Sequence, residues 1–178
     1  FSFKGKGAAM VFFLITQMIP SILVIIPLYV VFAKMKLIDT YASLFIFYTV
    51  TNLPFCAITM RSFFERIPYA LEEAAAIDGC SRAQTLWKVV LPVMFSGIVA
   101  VFVFAFIGAW NELIAGTIFL NSQKMWTIPI GLKSLVGKYN VDWGSMMAAS
   151  AIVVLPSIIF FCLIQNKIAG GLADGAVK

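Results

Sequence analysis

Residues 143–166 read WGSMMAASAIVVLPSIIFFCLIQN, a run of 24 residues without one charged side chain. A helix needs about 20 apolar residues to cross the hydrocarbon core of a membrane. Three more uncharged windows, 7–33, 40–60 and 89–111, contain 27, 21 and 23 residues. None alternates apolar and polar residues as the strands of a membrane β-barrel do. Because a helix satisfies its own backbone in lipid, the pattern predicts an all-α, polytopic membrane protein, a bundle of at least four spanning helices.

The composition agrees with a lipid environment and argues against several kinds of site. Of the 178 residues, 62% are hydrophobic and 12% are charged, whereas soluble domains carry about 25% charged residues. Histidine is absent, and the three cysteines, Cys56, Cys80 and Cys162, lie far apart. We therefore expect no catalytic residue, no metal site and no cofactor. We attribute the net charge of +5 to Lys and Arg on the cytoplasmic side and not to nucleic-acid binding.

Charges and prolines add detail to these spans. With four spans, the side that holds both chain ends and segment 61–92 carries eight Lys and Arg against five on the other side, which places that segment in the cytoplasm. Pro20 and Pro27 fall inside window 7–33, Pro54 inside window 40–60 and Pro156 inside window 143–166. They predict either simple kinks or a broken helix that lines a translocation path, and both interpretations stay open.

The polar segment 61–92, between the second and third spans, is too regular for a plain connector. Pro68 is suited to the first position of a helix, because its missing N–H group is not needed there. Glu72 and Glu73 follow in the first turn, where the helix dipole favours acids. Gly79 is a natural stop. The segment therefore begins with one short helix.

A second helix is predicted directly after this glycine. Ser81 and Gln84 match a capping box, and Pro92 marks where the helix is kinked or ended before the third span. The four bases of the segment equal its four acids in number, so DNA and anionic lipid suit it poorly. An amphipathic pair that rests on the membrane and a charge-balanced docking surface for a soluble protein are the alternatives.

A motif in this segment carries a resemblance to a known family. The motif reads Glu73-Ala74-Ala75, three residues, Gly79, nine residues and then Val89-Val90-Leu91-Pro92. It resembles the EAA signature of binding-protein-dependent ABC importer permeases, in which Ile occupies the position of Val89. In that family the loop is a coupling helix that sits in a cleft of the cytoplasmic ATPase. The resemblance implies that Glu73 pairs with a base there and that Gly79 permits the turn. The coupling residues it implies are Glu72, Glu73, Ala74, Ala75, Asp78, Gly79, Leu91 and Pro92.

The sugar-uptake branch of this family, which includes the second subunit of the maltose permease, resembles the chain over nearly its whole length. The stretches that carry this resemblance are Thr16-Gln17-Met18-Ile19-Pro20, Ile26-Pro27-Leu28-Tyr29, Leu71 to Gly79, Trp110-Asn111-Glu112, Gly170-Gly171-Leu172 and the tail Gly175-Ala176-Val177-Lys178. Such subunits usually have six spans, and this chain begins at Phe1 and shows four. We expect residues 1–178 to be one N-terminally incomplete importer transmembrane domain that holds the last four of six spans.

The resemblance implies a permease subunit in the cytoplasmic membrane of a prokaryote, which couples ATP hydrolysis on another chain to the passage of a carbohydrate. Its expected partners are ABC ATPase subunits, a second permease subunit, an extracytoplasmic solute-binding protein and the lipid bilayer. A permease for another small solute and a non-transporting subunit that docks an ATPase are the alternatives. A membrane-embedded enzyme is disfavoured, because no acid pair falls within one span. The chain also has no P-loop, since Tyr139 follows Gly137-Lys138 and Leu132 occupies the place of the first glycine.

Residues that contact a solute are harder to predict. Asn111 and Glu112 are the candidates for the translocation path, because polar groups within spans tend to face a cavity. The alternative is that Glu112 simply faces water at the outer end of the third span. The aromatic residues of segment 121–145 indicate either contact with a solute-binding protein or an interfacial loop.

Overall fold

The computed structural model of the chain describes residues 4–137 and 141–173, so that Tyr139 and the tail Gly175–Lys178 lie outside the described residues. Apart from one isolated β-bridge, the regular structure of the described part is helical, which confirms the all-α prediction. The α-helices in this part are α1 (Lys6–Met18), α2 (Ser21–Lys34), α3 (Tyr41–Phe64), α4 (Tyr69–Ile77), α5 (Arg82–Thr85), α6 (Leu91–Val93), α7 (Phe95–Trp110), α8 (Ile114–Phe119), α9 (Ile128–Ser134) and α10 (Trp143–Ala173). A π-helical turn, Leu86–Val90, joins α5 to α6, and a 3-10 turn, Gln123–Met125, follows α8.

Within the described residues, two single helices are long and apolar enough to cross a membrane. They are α3 and, over Trp143–Cys162, the first part of α10. Pro54 and Pro156 lie inside these helices without ending them. Two more spans result if each of two bent helix pairs is counted as one span, which gives up to four. The predicted windows are thus helical, but two of them are interrupted.

The first window is broken near its middle. α1 and α2 meet at an angle of 95°. Pro20 accounts for the break, because the residue before a proline is driven out of the helical region. Ile19 is accordingly extended, with φ −82° and ψ 119°. Pro27 lies inside α2 and does not end it. Of the two interpretations of the prolines, a broken helix therefore applies at Pro20.

The third window is bent where the helix of segment 82–93 meets α7. The two helices form an angle of 71° at Met94. Just before this point the Leu91 N–H group donates to the Leu86 carbonyl five residues back, as in a π-helix. Widened turns of this kind and prolines are common causes of kinks. The kink predicted from Pro92 is confirmed, and the bend lies two residues after it.

A hydrophobic core of this chain lies around α8, which packs against α2 and α3. The Phe119 ring meets Phe32 and Phe47 edge to face, with centroids 5.2 and 5.8 Å apart. The buried members of this core are Ile25, Phe32, Leu44, Phe47, Ala115, Phe119, Leu120 and Ile130. We call this part of the bundle, with the loop 35–40 and residues 113–130, the distal end.

The helices α3, α7 and α10 pack side by side. Gly97 lies directly on the Phe63 ring, and a Cβ atom at this position would be 2.6 Å from it, so glycine allows α7 to approach α3. Phe160 of α10 contacts Phe102 and Phe106 of α7, with centroids 5.4 and 4.9 Å apart. Many other large apolar side chains are exposed in the single chain, as expected for surfaces that face lipid or another membrane subunit.

Candidate functional site

The predicted pair of short helices is present in segment 61–92. Pro68 occupies the N-cap of α4 with extended backbone, one position earlier than expected, so Glu72 lies in the first turn and Glu73 follows it. We call α4 and the helix of residues 82–93 together the helix pair.

The turn between these two helices is closed by a Schellman motif. Gly79 has φ +78°, the left-handed conformation that glycine adopts without a steric penalty. The Cys80 N–H group donates to the Ala75 carbonyl at 3.0 Å, and the Gly79 N–H group donates to the Ala76 carbonyl at 3.1 Å. These two bonds satisfy carbonyls at the end of α4. The predicted stop at Gly79 is thus confirmed.

The second helix begins with the predicted capping box. The Ser81 hydroxyl accepts from the Gln84 N–H group at 3.3 Å, and the Gln84 side chain accepts from the Ser81 N–H group at 2.8 Å. α4 packs back on this helix through the buried residues Ala75, Thr85 and Val90. The helix pair is therefore held by its own caps and a small internal contact.

Opposite this internal contact, α4 presents a stripe of exposed side chains. Tyr69, Glu73 and Ile77 follow one another at intervals of four residues, which places them on one face of a helix. Tyr69 and Ile77 are 70% and 86% exposed, and Glu73 is exposed between them. We call these three residues the α4 stripe. Such a stripe, acidic at its centre and apolar at both ends, is suited to contact with another protein.

The acids of α4 have no basic partner in the described part of the chain, where Arg61 and Glu65 form the one salt bridge, at 2.7 Å. This pair lies at the end of α3, and the Arg61 hydrogen bond lowers the pKa of Glu65. Glu72, Glu73 and Asp78 are exposed and free to meet a base of a partner.

Two of the predicted coupling residues lie apart from the α4 stripe. Leu91 and Pro92 line an apolar groove at the bend before α7, together with Trp87, Phe95 and Ile98. Ala74 is exposed on α4, whereas Ala75 is buried against the second helix. The predicted set thus divides into exposed acids on α4, residues that shape the helix pair, and residues that line the groove.

Glu112 occupies a break between α7 and α8 and does not simply face water. Its carboxylate accepts from the N–H groups of Ala115 at 2.7 Å and Gly116 at 3.1 Å, which caps the start of α8. The Tyr48 hydroxyl of α3 donates to the same carboxylate at 3.2 Å. Asn111 differs, because its side chain is exposed and donates to the Ile107 carbonyl of its own helix at 3.0 Å.

A cleft of about 220 Å³ opens beside Glu112. The residues that line it are Ser21, Ile22, Ile25, Phe47, Tyr48, Thr51, Asn52, Gly108, Glu112 and Ile114. Of the two predicted path residues, Glu112 belongs to this cleft and Asn111 does not. The polar residues of α3 were not predicted, although Tyr48, Thr51 and Asn52 recur at the spacing of one helix face within a largely apolar span.

Asp39 joins two loops at the distal end. Its carboxylate accepts from the N–H groups of Asn121 at 2.9 Å and Ser122 at 2.8 Å, and from the Ser122 hydroxyl. These hydrogen bonds, foremost that of the Ser122 hydroxyl, lower the pKa of Asp39. The Asp39 N–H group also donates to the Phe119 carbonyl at 2.8 Å, so that α8 is fastened to the start of α3.

The helical bundle, with two to four candidate spans among the described residues, defines a polytopic membrane protein. A family described as the binding-protein-dependent transport system inner membrane component matches residues 1–170, and the chain belongs to this family. The family resemblance seen in the sequence is confirmed, as is the assignment to the cytoplasmic membrane as a multi-pass protein.

Two curated relatives show which branch of the family this chain is similar to. The chain is 36% identical to the diacetylchitobiose uptake system permease protein DasC of Streptomyces coelicolor, over 99% of this chain and 64% of DasC. It is 34% identical to the trehalose/maltose transport system permease protein MalG of Thermococcus litoralis, again over 99% of this chain and 64% of MalG. The chain thus spans less than two thirds of the length of these relatives.

A solved structure supports the fold. A bacterial ABC transporter involved in the import of the acidic polysaccharide alginate matches with a TM-score of 0.72 and 23% identity, over 92% of this chain and 62% of that chain. At this identity the likeness concerns the bundle and its helix order.

Proposed function

We propose that the chain is a permease subunit of an ATP-driven importer that takes up a carbohydrate. In this proposal, residues 1–178 belong to one transmembrane domain, and segment 61–92 is its coupling loop. The relatives support the solute class, since the names of two of them refer to diacetylchitobiose and to trehalose and maltose. Hydrolysis of ATP is assigned to a separate chain, because this sequence has no P-loop.

The observation that carries the proposal is the α4 stripe. A short helix, closed at its C-terminal end by the Schellman motif, holds an acid between two exposed apolar side chains, and nothing within the described residues covers them. The proposal assigns this face to an ATPase subunit, with Glu73 opposite a base. Gly79 and the capping box keep α4 at a fixed angle to the second helix, so that movement of the ATPase is passed to α7 through the bend at Met94.

A second permease subunit and a solute-binding protein complete the proposed assembly. Four spans, or even six, form a wall and not an enclosed path. The Glu112 cleft is accordingly open on one side and would be closed by the second subunit. The distal end, with Asp39 and the exposed loop residues around Ser122, is assigned to the side that receives solute.

The test is uptake by the complete transporter in proteoliposomes. The full-length protein is combined with its ATPase, second permease and binding protein, and labelled maltose, trehalose and N,N′-diacetylchitobiose are supplied. We expect uptake of at least one of these sugars that requires ATP and the binding protein. Uptake of only a non-carbohydrate solute would contradict the solute class. A docked ATPase without any transport would favour a non-transporting subunit.

A further inference from the structure

A bent corner joins the helix pair to the bundle. The helix of residues 82–93 meets α7 at an angle of 71°, so that this arm runs at a steep angle to the direction in which α7 crosses the membrane. An apolar groove follows the corner, and residues of both arms line it: Trp87, Leu91, Pro92, Phe95 and Ile98. The groove therefore lies where the chain enters the membrane.

The depth of the corner follows from the length of α7, which alone is too short to cross the hydrocarbon core. Its 16 residues span about 24 Å at a rise of about 1.5 Å per residue, whereas the core is about 30 Å thick. Residues 89–94 before it are apolar, and Lys88 is the charged residue that precedes them. These residues therefore complete the crossing, and Lys88 marks the level at which hydrocarbon gives way to headgroups. The charge distribution assigns this end to the cytoplasmic side.

The charges of segment 61–92 are divided between its two helices. α4 and its C-cap hold three of the four acids, which are Glu72, Glu73 and Asp78. The helix of residues 82–93 holds Arg82 and Lys88 and contains no acid. Lys88 is exposed and forms no salt bridge with the described residues. The balance of charge that disfavours anionic lipid for the whole segment therefore does not hold for this second helix, which is basic.

Trp87 and Lys88 are side chains of the kind expected at the level of lipid headgroups. Trp87 is 70% exposed, although indole is a large and mostly apolar group. Indole rings are enriched at membrane interfaces, and lysine extends its ammonium group to the headgroups while its stem stays in apolar surroundings. The α4 stripe has Glu73 at its centre instead, and an acid would repel a lipid phosphate. The groove beside Trp87 and Lys88 thus matches a phospholipid, which has apolar chains and an anionic phosphate.

We propose that this groove binds a phospholipid of the cytoplasmic leaflet, with an acyl chain along Leu91 and Phe95 and the phosphate at Lys88. The helix pair then makes two different contacts, one through the α4 stripe to a protein and one through the second helix to the membrane. Both interpretations of the pair therefore apply, each to one of its helices. The lipid site does not depend on the class of the transported solute.

The experiment is photo-cross-linking in the complete transporter, reconstituted in vesicles of phosphatidylethanolamine and phosphatidylglycerol. The photoreactive residue p-benzoylphenylalanine replaces Trp87 in one variant and Tyr69 in another. Tyr69 is the matched control, because it is also aromatic and 70% exposed but belongs to the α4 stripe. We expect the probe at Trp87 to attach to phospholipid, detected by mass spectrometry, at least ten times more than the probe at Tyr69. The probe at Tyr69 should attach to the ATPase.

The outcomes separate the lipid site from the proposed function. Attachment of the Trp87 probe to a polypeptide, of this chain or of another subunit, would overturn the lipid site. Equal attachment of lipid at Trp87 and Tyr69 would also overturn it, since contact with the membrane would then not be confined to the groove. Lipid at Trp87 without ATPase at Tyr69 would support the lipid site and contradict the docking face. Phe95, which lines the same groove, takes the probe if the Trp87 variant does not assemble.

Lys88→Gln tests the contact with the phosphate. With the probe at Trp87, this change should lower the attachment of lipid at least threefold, because a basic residue at the membrane surface attracts the anionic headgroup. Lys124→Gln is the control, since Lys124 is equally a charged and exposed residue but lies in the 3-10 turn of the distal end. It should leave the attachment unchanged. Equal attachment in the parent and in Lys88→Gln would overturn the phosphate contact.

Discussion

The distal end and the helix pair are built in opposite ways. At the distal end, α8 is buried between α2 and α3, and Ala115 and Phe119 have no exposed surface. Contacts there join residues that are far apart in sequence, such as Asp39 and Ser122. The helix pair is held by bonds between near neighbours, foremost the Schellman motif and the capping box. Its outward face is exposed.

This difference indicates which part is a rigid scaffold and which part has an exposed surface that a partner would cover. A segment with few buried apolar contacts opens at low free-energy cost, whereas a packed core opens only with much of the fold. The distal end therefore holds Glu112 and the cleft in a fixed position. The helix pair has a fixed local shape, and its α4 stripe is exposed in the single chain, where the proposed ATPase subunit would cover it.

The largest expected effect is that of Glu73→Lys on docking. Reversal of a charge opposite a base costs several kcal/mol, and about 3 kcal/mol corresponds to a loss of affinity of more than 100-fold. Binding of the ATPase to the solubilised permease measures this loss. Glu73→Gln, which removes the charge without reversing it, should lose less. Normal ATPase binding and normal uptake by Glu73→Lys would remove the α4 stripe from the interface.

Glu112→Ala tests the scaffold side of the comparison. The change leaves the N–H groups of Ala115 and Gly116 without an acceptor, at a cost of about 1–3 kcal/mol for each buried donor. We expect a lower melting temperature of the permease and unchanged affinity for the ATPase. Tyr48→Phe, which removes one hydrogen bond to Glu112, should cost about 0.5–1.5 kcal/mol. A melting temperature unchanged in both variants would contradict the role of Glu112 as a cap.

Gly79→Val tests the turn of the helix pair. Valine in the left-handed conformation costs about 1–2 kcal/mol more than glycine, so the angle between the two helices should change. We expect weaker ATPase binding while the melting temperature of the bundle stays near that of the parent. Gly79→Asn is the matched control, because asparagine tolerates this conformation. If the Gly79→Val and Gly79→Asn variants bind the ATPase equally well, the left-handed turn at this position is not required for ATPase binding.

The smallest expected effect concerns acid pH and Asp39. The pKa of Asp39 is lowered in the folded protein from its ordinary value of 3.8. The ionised carboxylate therefore stabilises the fold at pH values above 3.8. This stabilisation is lost as the pH falls through the lowered pKa of the folded protein. Asp39→Asn keeps a residue that tolerates φ +62° and should flatten the decline in melting temperature below about pH 4. Asp78→Asn, at the helix pair, is the control. An unchanged acid profile in Asp39→Asn would show that the distal loops are held by other contacts.

Local signals made the helix pair predictable from sequence. Gly79, Ser81 and Gln84 act on backbone groups within a few residues, so their roles follow without knowledge of the rest of the fold. Pro68 was misplaced by one position, which is the usual uncertainty of a helix boundary. The spans were found because membrane depth requires about 20 apolar residues.

The cleft and the distal core were not predictable in the same way. Tyr48 and Glu112 are 64 residues apart, and their contact depends on how α7 ends and on how α8 packs. Pro20 was identified as a kink or a break, but the choice depends on whether neighbouring groups can support irregular backbone. The close approach of Gly97 to Phe63 likewise depends on tertiary packing.

Hydrogen–deuterium exchange of the permease complex, with and without its ATPase subunits, tests the comparison most directly. We expect slow exchange at residues 115–120 in both states, because this segment is buried and hydrogen-bonded. We expect fast exchange at residues 69–85 in the absence of the ATPase and at least tenfold slower exchange in its presence. Exchange at 69–85 that does not change when the ATPase binds, or a change confined to the distal end, would show that the helix pair is not the docking surface.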